Sequence, residues 1–209
     1  MENYLDFRNK KIYDELKIPA EKIKAGEIVV FPTETVYAIG TNGFDENAIR
    51  KIYEVKNRPF NKPISLLVSD LEMVRKLAKN ITKEEEKLMK AFFPGPFTIV
   101  LEKSNLVPDI LTSNGNTVGI RMPDDDTALN IIKLAGVPIA APSANITGKK
   151  SGTNITDIFS DFGESVDFYV DGGESKLGIG STIVKMVDGK PIILRQGSIS
   201  EREIQEVLK

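Results

Sequence analysis

Short, continuous apolar runs alternate with amphipathic stretches along this chain, and that rhythm predicts an α/β fold. Ile28 to Phe31 is apolar throughout and stops at Pro32, as a buried strand does. A second apolar run, Val36 to Gly40, follows at once. Behind Asp45, which fits as an N-cap, Ile49, Ile52 and Tyr53 recur on one helical face until Pro59 forces the chain out. Ile64 to Val68, Phe97 to Glu102, Thr117 to Arg121 and Val137 to Ala141 read as further strands. Pro19 opens a short helix that Gly26 can close in the left-handed region. Ser69-Asp-Leu-Glu72, Thr82-Lys-Glu-Glu85 and Ser200-Glu-Arg-Glu203 have capping-box spacing, and each predicts a helix start. Pro94-Gly95-Pro96 ends the second of these helices, and Gly136 closes another over Thr127 to Leu134. Asp188-Gly189 predicts a hairpin turn between Ser181–Val187 and Pro191–Arg195. Strands that are apolar throughout belong to a sheet covered on both faces.

Composition narrows the class. A chain of 209 residues with 41% hydrophobic and 28% charged residues can bury one substantial core. A net charge of −2 argues against non-specific nucleic-acid binding as the main task, since counterion release needs a concentrated basic surface. No apolar run approaches the roughly 20 residues of a membrane span, so no membrane association is expected. The N-terminus is charged throughout and lacks the apolar core of a signal peptide. With no cysteine there is no disulfide framework, and a cytoplasmic location is expected. The absence of both Cys and His excludes zinc sites, thiol or imidazole catalysis and a Ser-His-Asp triad. What remains is chemistry by carboxylates, hydroxyls, Lys/Arg and backbone dipoles, which favours reactions driven by positioning and charge stabilisation.

Several motifs are decoys. Ser143-Ala-Asn-Ile-Thr-Gly-Lys149 ends like a phosphate loop but lacks its first glycine, and Lys150 stands where a Ser or Thr is needed. Gly178-Ile-Gly180 begins a dinucleotide fingerprint that Ile183 breaks. Asp124-Asp-Asp126 sits where a helix begins and reads as a cap rather than a metal site. Five other places are hard to explain as scaffolding, and several of them put polar groups at strand ends, where open α/β sheets bind ligands. Pro32-Thr-Glu-Thr-Val-Tyr37 follows a buried strand, and Ala141-Pro-Ser-Ala-Asn145 follows another, with Ser151 further along the same loop. Glu54-Val-Lys-Asn-Arg-Pro-Phe-Asn-Lys-Pro-Ile-Ser65 places Lys56, Arg58 and Lys62 on a proline-stiffened path, as an anion site would require. Arg121 ends an apolar strand, where it can pair with a carboxylate or phosphate or with a local Asp. Gly178-Ile-Gly-Ser-Thr182 and Leu194-Arg-Gln-Gly197 bracket the hairpin.

Taken in order, FPTETVYAIG, KNRPFNKPIS, PGPFT, TVGIRMP, APSANITG, GSTIV and ILRQG resemble the YrdC family, the threonylcarbamoyl-AMP synthases of tRNA modification. The resemblance runs from about Pro19 to Gly197, leaving residues 1–18 as an N-terminal extension and 19–209 as the catalytic domain. It implies a single-domain twisted mixed sheet with helices packed around it and an open, basic cavity. It also implies a synthase that joins L-threonine, bicarbonate or CO₂, and ATP with Mg²⁺, releasing pyrophosphate. A downstream transferase complex then modifies adenosine 37 of tRNA, so tRNA is an indirect partner with weak direct RNA binding possible. A nucleotide- or RNA-binding module without synthase activity is the alternative.

By the same resemblance Lys56, Arg58 and Lys62 hold ATP phosphates, and Thr117, Ser143, Ser151 and Arg195 complete the nucleotide contacts, with Asn145 supporting the Ser143 loop. Thr35, Arg121 and Ser181 bind threonine, Arg121 through its carboxylate, in a pocket walled by Tyr37, Leu67 and Ala141. Lys56, Arg58 and Arg121 are the catalytic candidates, and no protein side chain is assigned to Mg²⁺. Two departures stand out: Ala38 replaces a common glycine, and Leu67 stands where many members carry histidine. The chain ends just beyond its last helix, so the extra C-terminal domain of longer relatives is expected to be missing.

Overall fold

In the computed structural model, which describes residues 3–8 and 13–209, the apolar runs become the inner strands of one mixed sheet. The strands are β1 (Tyr4–Asp6), β2 (Val29–Phe31), β3 (Ala38–Asn42), β4 (Leu66–Leu67), β5 (Phe97–Glu102), β6 (Thr117–Arg121), β7 (Ile139–Ala140), β8 (Phe168–Asp171), β9 (Thr182–Val187) and β10 (Lys190–Arg195). Their order across the sheet is β1-β8-β2-β3-β7-β4-β6-β5-β9-β10. The β1–β8, β8–β2, β4–β6 and β5–β9 pairs are parallel, and the remaining neighbours are antiparallel. The helices are α1 (Lys17–Lys24), α2 (Glu46–Val55), α3 (Leu71–Leu77), α4 (Lys83–Phe92), α5 (Asp126–Ala135), α6 (Ile155–Phe162) and α7 (Glu201–Leu208).

Register decides what each face of the sheet meets, because residues paired across strands share a face. Ile99 pairs with Ile120 and Val184, Ile120 with Leu66, and Leu66 with Ala140. All five lie in the main core, together with buried residues of α2, α3, α4, α6 and α7. The opposite face is treated unequally. Leu67 and its partner Ile139 join a second core with Ala20 and Ile23 of α1 and Ala128, Ile131 and Ile132 of α5. Beyond β4 that cover stops. Arg121, Thr98, Ile183 and Arg195 continue the same face across β6, β5, β9 and β10, and they line a cavity.

The local signals explain the helix starts. Asp45 accepts from the backbone N–H groups of Asn47 and Ala48 at 2.9 and 3.1 Å, opening α2. Thr82 with Glu85, and Ser200 with Glu203, form complete capping boxes. Asp125 caps α5, and Gly136 ends it at φ 68°. No group of three or more acidic side chains able to hold a metal occurs among the described residues. Asp188 and Gly189, at φ 49° and 74°, make the hairpin turn. Among the described residues no helix is long and apolar enough to cross a membrane.

Four expectations change. The box at Ser69–Glu72 does not form: Asp70 is the cap of α3, accepting from Met73, and Ser69 donates to Asp70. The runs Ile64–Val68 and Val137–Ala141 shrink to two-residue strands, because β4 and β7 meet their neighbours only over that length. The segment 1–18 is more than an extension: β1 pairs with β8, and α1 begins at Lys17, while residues 1–2 and 9–12 lie outside the described set. Three elements carry no prediction at all, namely β1, α6 and β8.

Removing the α2 cap tests the link from sequence to local structure. Asp45→Ala should lower stability by about 1 kcal/mol and the melting temperature by roughly 2–4 °C. A thermal melt indistinguishable from the wild type would show that the cap does not hold the helix in place.

Candidate active site

A cavity of about 360 Å³ opens on the uncovered half of the second sheet face. Its floor is Leu67, Thr98, Arg121, Ile183 and Arg195 from the strands described above. Thr35 enters from the loop after β2, while Arg58 and Pro63 come from the loop after α2. Ala141, Ser143 and Ser151 come from the loop after β7, and Ser181 from the loop before β9. Four chain segments far apart in sequence thus converge at strand ends, where backbone polar groups leave the ladder free to meet a ligand.

Three guanidinium groups share this space and are held differently. Arg58 donates through Nε to the Lys62 carbonyl at 3.0 Å and through Nη2 to the Pro63 carbonyl at 2.7 Å. Arg195 donates to the Ser181 carbonyl at 3.0 and 2.9 Å and to Ser181 Oγ at 3.1 Å. Arg121 is buried, and its Nη2 pairs with Glu34 Oε2 at 2.6 Å. The charges feel one another. Partial burial, then Arg121 and then Arg58, draw the Arg195 guanidinium below the usual arginine value. Burial does the same to Arg58. Backbone carbonyls orient Arg58 and Arg195 without cancelling their charge, whereas Glu34 neutralises Arg121.

Lys56 lies elsewhere. It is 1% exposed and does not line the cavity. Its Nζ donates to the carbonyls of Ser143 and Asn145, so the phosphate contact expected for it is replaced by a clamp on the serine loop. Burial, with Arg58 adding to it, pulls this lysine down to about 7. The clamped loop is also tied internally, since Ser143 Oγ donates to Asn145 Oδ1 at 2.6 Å and Asn145 Nδ2 donates to the carbonyls of Ile146 and Lys149. Ladder-like bonds from Ile39 to Pro142, from Ala144 to Tyr37 and from Tyr37 to Gly152 fasten it to the start of β3.

Three further placements differ from expectation. Lys62 points into solvent, contributing to the site only through the carbonyl that Arg58 uses. Thr117 sits at the far end of β6 from Arg121, about 13 Å along the strand, outside the cavity lining. Tyr37 is fully buried behind the site; its hydroxyl donates to the Gly173 carbonyl at 2.5 Å and accepts from Gly172 at 3.1 Å. Its side chain therefore fixes a loop rather than walling a pocket. Thr35, Arg58, Leu67, Arg121, Ala141, Ser143, Ser151, Ser181 and Arg195 do come together in the lining, with Asn145 behind Ser143.

Sequence reasoning missed three participants. Glu34 stood inside a motif already singled out, yet nothing local marked it as the partner of Arg121, 87 residues away. Thr98 lines the floor and exchanges a hydrogen bond with Ser181 Oγ at 2.7 Å; its odd position in an otherwise apolar strand was the available signal. Gly197 allows close approach: a Cβ there would lie 2.4 Å from the Gly180 carbonyl oxygen, so the loops carrying Ser181 and Arg195 can touch only if this residue has no side chain.

Comparison with known proteins follows this geometry. The family model Sua5_yciO_yrdC, described as "Telomere recombination", matches residues 21–197. A threonylcarbamoyl-AMP synthase of Pyrococcus abyssi is 43% identical over 194 residues, covering 93% of this chain and 57% of that protein. A putative threonylcarbamoyl-AMP synthase of Methanocaldococcus jannaschii is 39% identical over 190 residues, covering 91% of this chain and 87% of that protein. Among solved structures, P. abyssi Sua5 complexed with L-threonine superposes with a TM-score of 0.95 at 41% identity, over 98% of this chain and 60% of that one. This chain thus spans little more than half the length of the P. abyssi protein.

The buried lysine makes a pH prediction. Below about pH 7 the folded and unfolded chains both carry the Lys56 proton. Between there and the ordinary lysine value of about 10.4, only the unfolded chain does. Stability should therefore rise with pH across that window, by at most about 1.4 kcal/mol per pH unit from this group. Urea unfolding at pH 7, 8 and 9 should show the wild type gaining on Lys56→Met as pH rises. Parallel trends would mean that the buried ammonium carries no such penalty.

Proposed function

The chain belongs to the Sua5/YciO/YrdC family, and from that membership we propose that it is an L-threonylcarbamoyladenylate synthase. The observation that carries this reading is the convergence of three arginines in one cavity. Two of them keep their charge on backbone carbonyls, and the third is set apart by an ion pair. Cations that keep their full charge suit a polyphosphate, and the separately held Arg121 is left for the single carboxylate of an amino acid. The L-threonine complex of P. abyssi Sua5, a close structural match, supports the amino-acid half.

The chemistry requires little from the protein beyond placement. The threonine amine attacks CO₂, forming a carbamate and releasing a proton. A carbamate oxygen then attacks the α-phosphorus of ATP, the bond to the β-phosphate bridging oxygen breaks, and pyrophosphate leaves. No covalent enzyme intermediate is needed, which suits a chain without Cys or His. Arg58 and Arg195, with Ser143 and Ser151, would hold the polyphosphate, and Arg121 with Thr35 and Ser181 would hold threonine. The cavity lining includes no carboxylate, so it does not fit a resident metal. Mg²⁺ would arrive on ATP as part of the substrate. The product would pass to a downstream threonylcarbamoyl transferase in the cytoplasm, serving position 37 of tRNA.

Incubating the protein with ATP, Mg²⁺, bicarbonate and L-threonine should release pyrophosphate only when threonine is present. Absent or threonine-independent release would sink the synthase reading and leave a nucleotide-binding module. Arg58→Ala should weaken ATP binding at least about tenfold, as loss of a charged contact does. Arg121→Ala should chiefly raise the threonine concentration needed. An unchanged threonine titration would reverse the division of the cavity.

A further inference from the structure

We propose that Glu34 sets the charge selectivity of the amino-acid subsite by cancelling Arg121, so that this part of the cavity takes a zwitterion and disfavours a simple anion. This rests on the threonine reading above and adds the group that decides which carboxylates enter.

The argument begins from unequal neutralisation. Arg58 and Arg195 hydrogen-bond only neutral acceptors. Arg121 alone among the three meets a carboxylate, at 2.6 Å, with both side chains less than a tenth exposed. At that depth a unit charge acts on its neighbours far more strongly than it would in water. A bare carboxylate approaching Arg121 is attracted by the guanidinium and repelled by Glu34 just behind it. In a ligand that also carries an ammonium group, the attraction of that charge to Glu34 offsets the repulsion.

Glu34 itself supports this. Its second oxygen, Oε1, is buried with no hydrogen-bond partner among the described residues. A carboxylate engaged only in holding Arg121 in place would be expected to satisfy both oxygens from the surrounding backbone. Asp125, close by, is pushed above the usual carboxylate range by burial first and by the Glu34 charge among the further causes, so the negative potential reaches beyond the ion pair. Thr35, the next residue, faces the cavity. Glu34 touches the site through Arg121, which makes it a positioning and selectivity residue rather than a catalytic one.

Calorimetric titration with L-threonine and with 3-hydroxybutyrate, which is threonine without its amine, tests this directly. The wild type should prefer threonine by about tenfold or more. In Glu34→Gln, which preserves shape and an acceptor for Arg121, that preference should fall by roughly tenfold, chiefly because 3-hydroxybutyrate binds more tightly. Glu34→Asp keeps the charge and should keep the preference. If the wild type binds no threonine, the substrate reading fails. If it binds both ligands equally, the inference fails without recourse to any variant. If Glu34→Gln folds and weakens both ligands equally, Glu34 is only structural and the inference is overturned.

Discussion

A sheet whose strands are apolar on both faces has to be covered on both, and here the cover is deliberately short on one side. On one face, helices pack across from β7 to β9. On the other, α1 and α5 shield the strands as far as Leu67 and Ile139, and no described helix continues beyond. The next strands therefore replace apolar side chains on that face with Arg121, Thr98 and Arg195. The pocket is what remains where the second layer ends. Its floor is carried by strands that the first face already holds rigid, and loops, among them the one after α2, supply the remaining polar groups.

Placing three guanidinium groups in such a pocket raises an electrostatic problem, since like charges in partial burial repel. The chain answers mostly with backbone carbonyls. A carbonyl fixes a guanidinium through directional hydrogen bonds while leaving its net charge available to a ligand. A carboxylate fixes it equally well but removes that charge, and when buried it returns little net stability after desolvation. The buried Arg121–Glu34 ion pair beside the cavity is therefore hard to explain as a stabilising device. It makes more sense as a way to give one arginine a different electrostatic character from the others.

The fold was largely legible in the sequence, and the site partly so. Continuous apolar runs located β2, β5 and β6 to within a residue, and side-chain caps located α2, α4 and α7, because both signals are local. β1 and β8 escaped for the opposite reason, whereas α6, which Asn154 caps, carried a local signal that went unread. Tyr4–Asp6 is a strand only because Phe168–Asp171 lies beside it, 160 residues and more along the chain. At the site, residue type marked this loop as a candidate for holding an anion but could not say where each cation points. Lys56, Arg58 and Lys62 occupy one short, stiff segment and meet three fates: a buried clamp, a cavity wall and open solvent. That division depends on the turn after α2, where Asn57 adopts φ 49° and swings successive side chains apart.

Lys56 shows why the buried cation matters to the exposed ones. Arg58 and Ser143 stand on loops 85 residues apart, and a polyphosphate bound between them would need both walls at a fixed spacing. The Lys56 side chain joins the two, reaching from the end of α2 to the carbonyls that flank Ala144. The Thr147 amide, donating at 2.9 Å to the Lys56 carbonyl, closes the connection from the other direction. A flexible lysine in contact with solvent would lose much side-chain entropy on ordering. Buried and bonded at both its backbone and its tip, this one has already been ordered by folding. The walls are thus preorganised before any anion arrives, and binding need not supply the ordering that preorganisation has already provided.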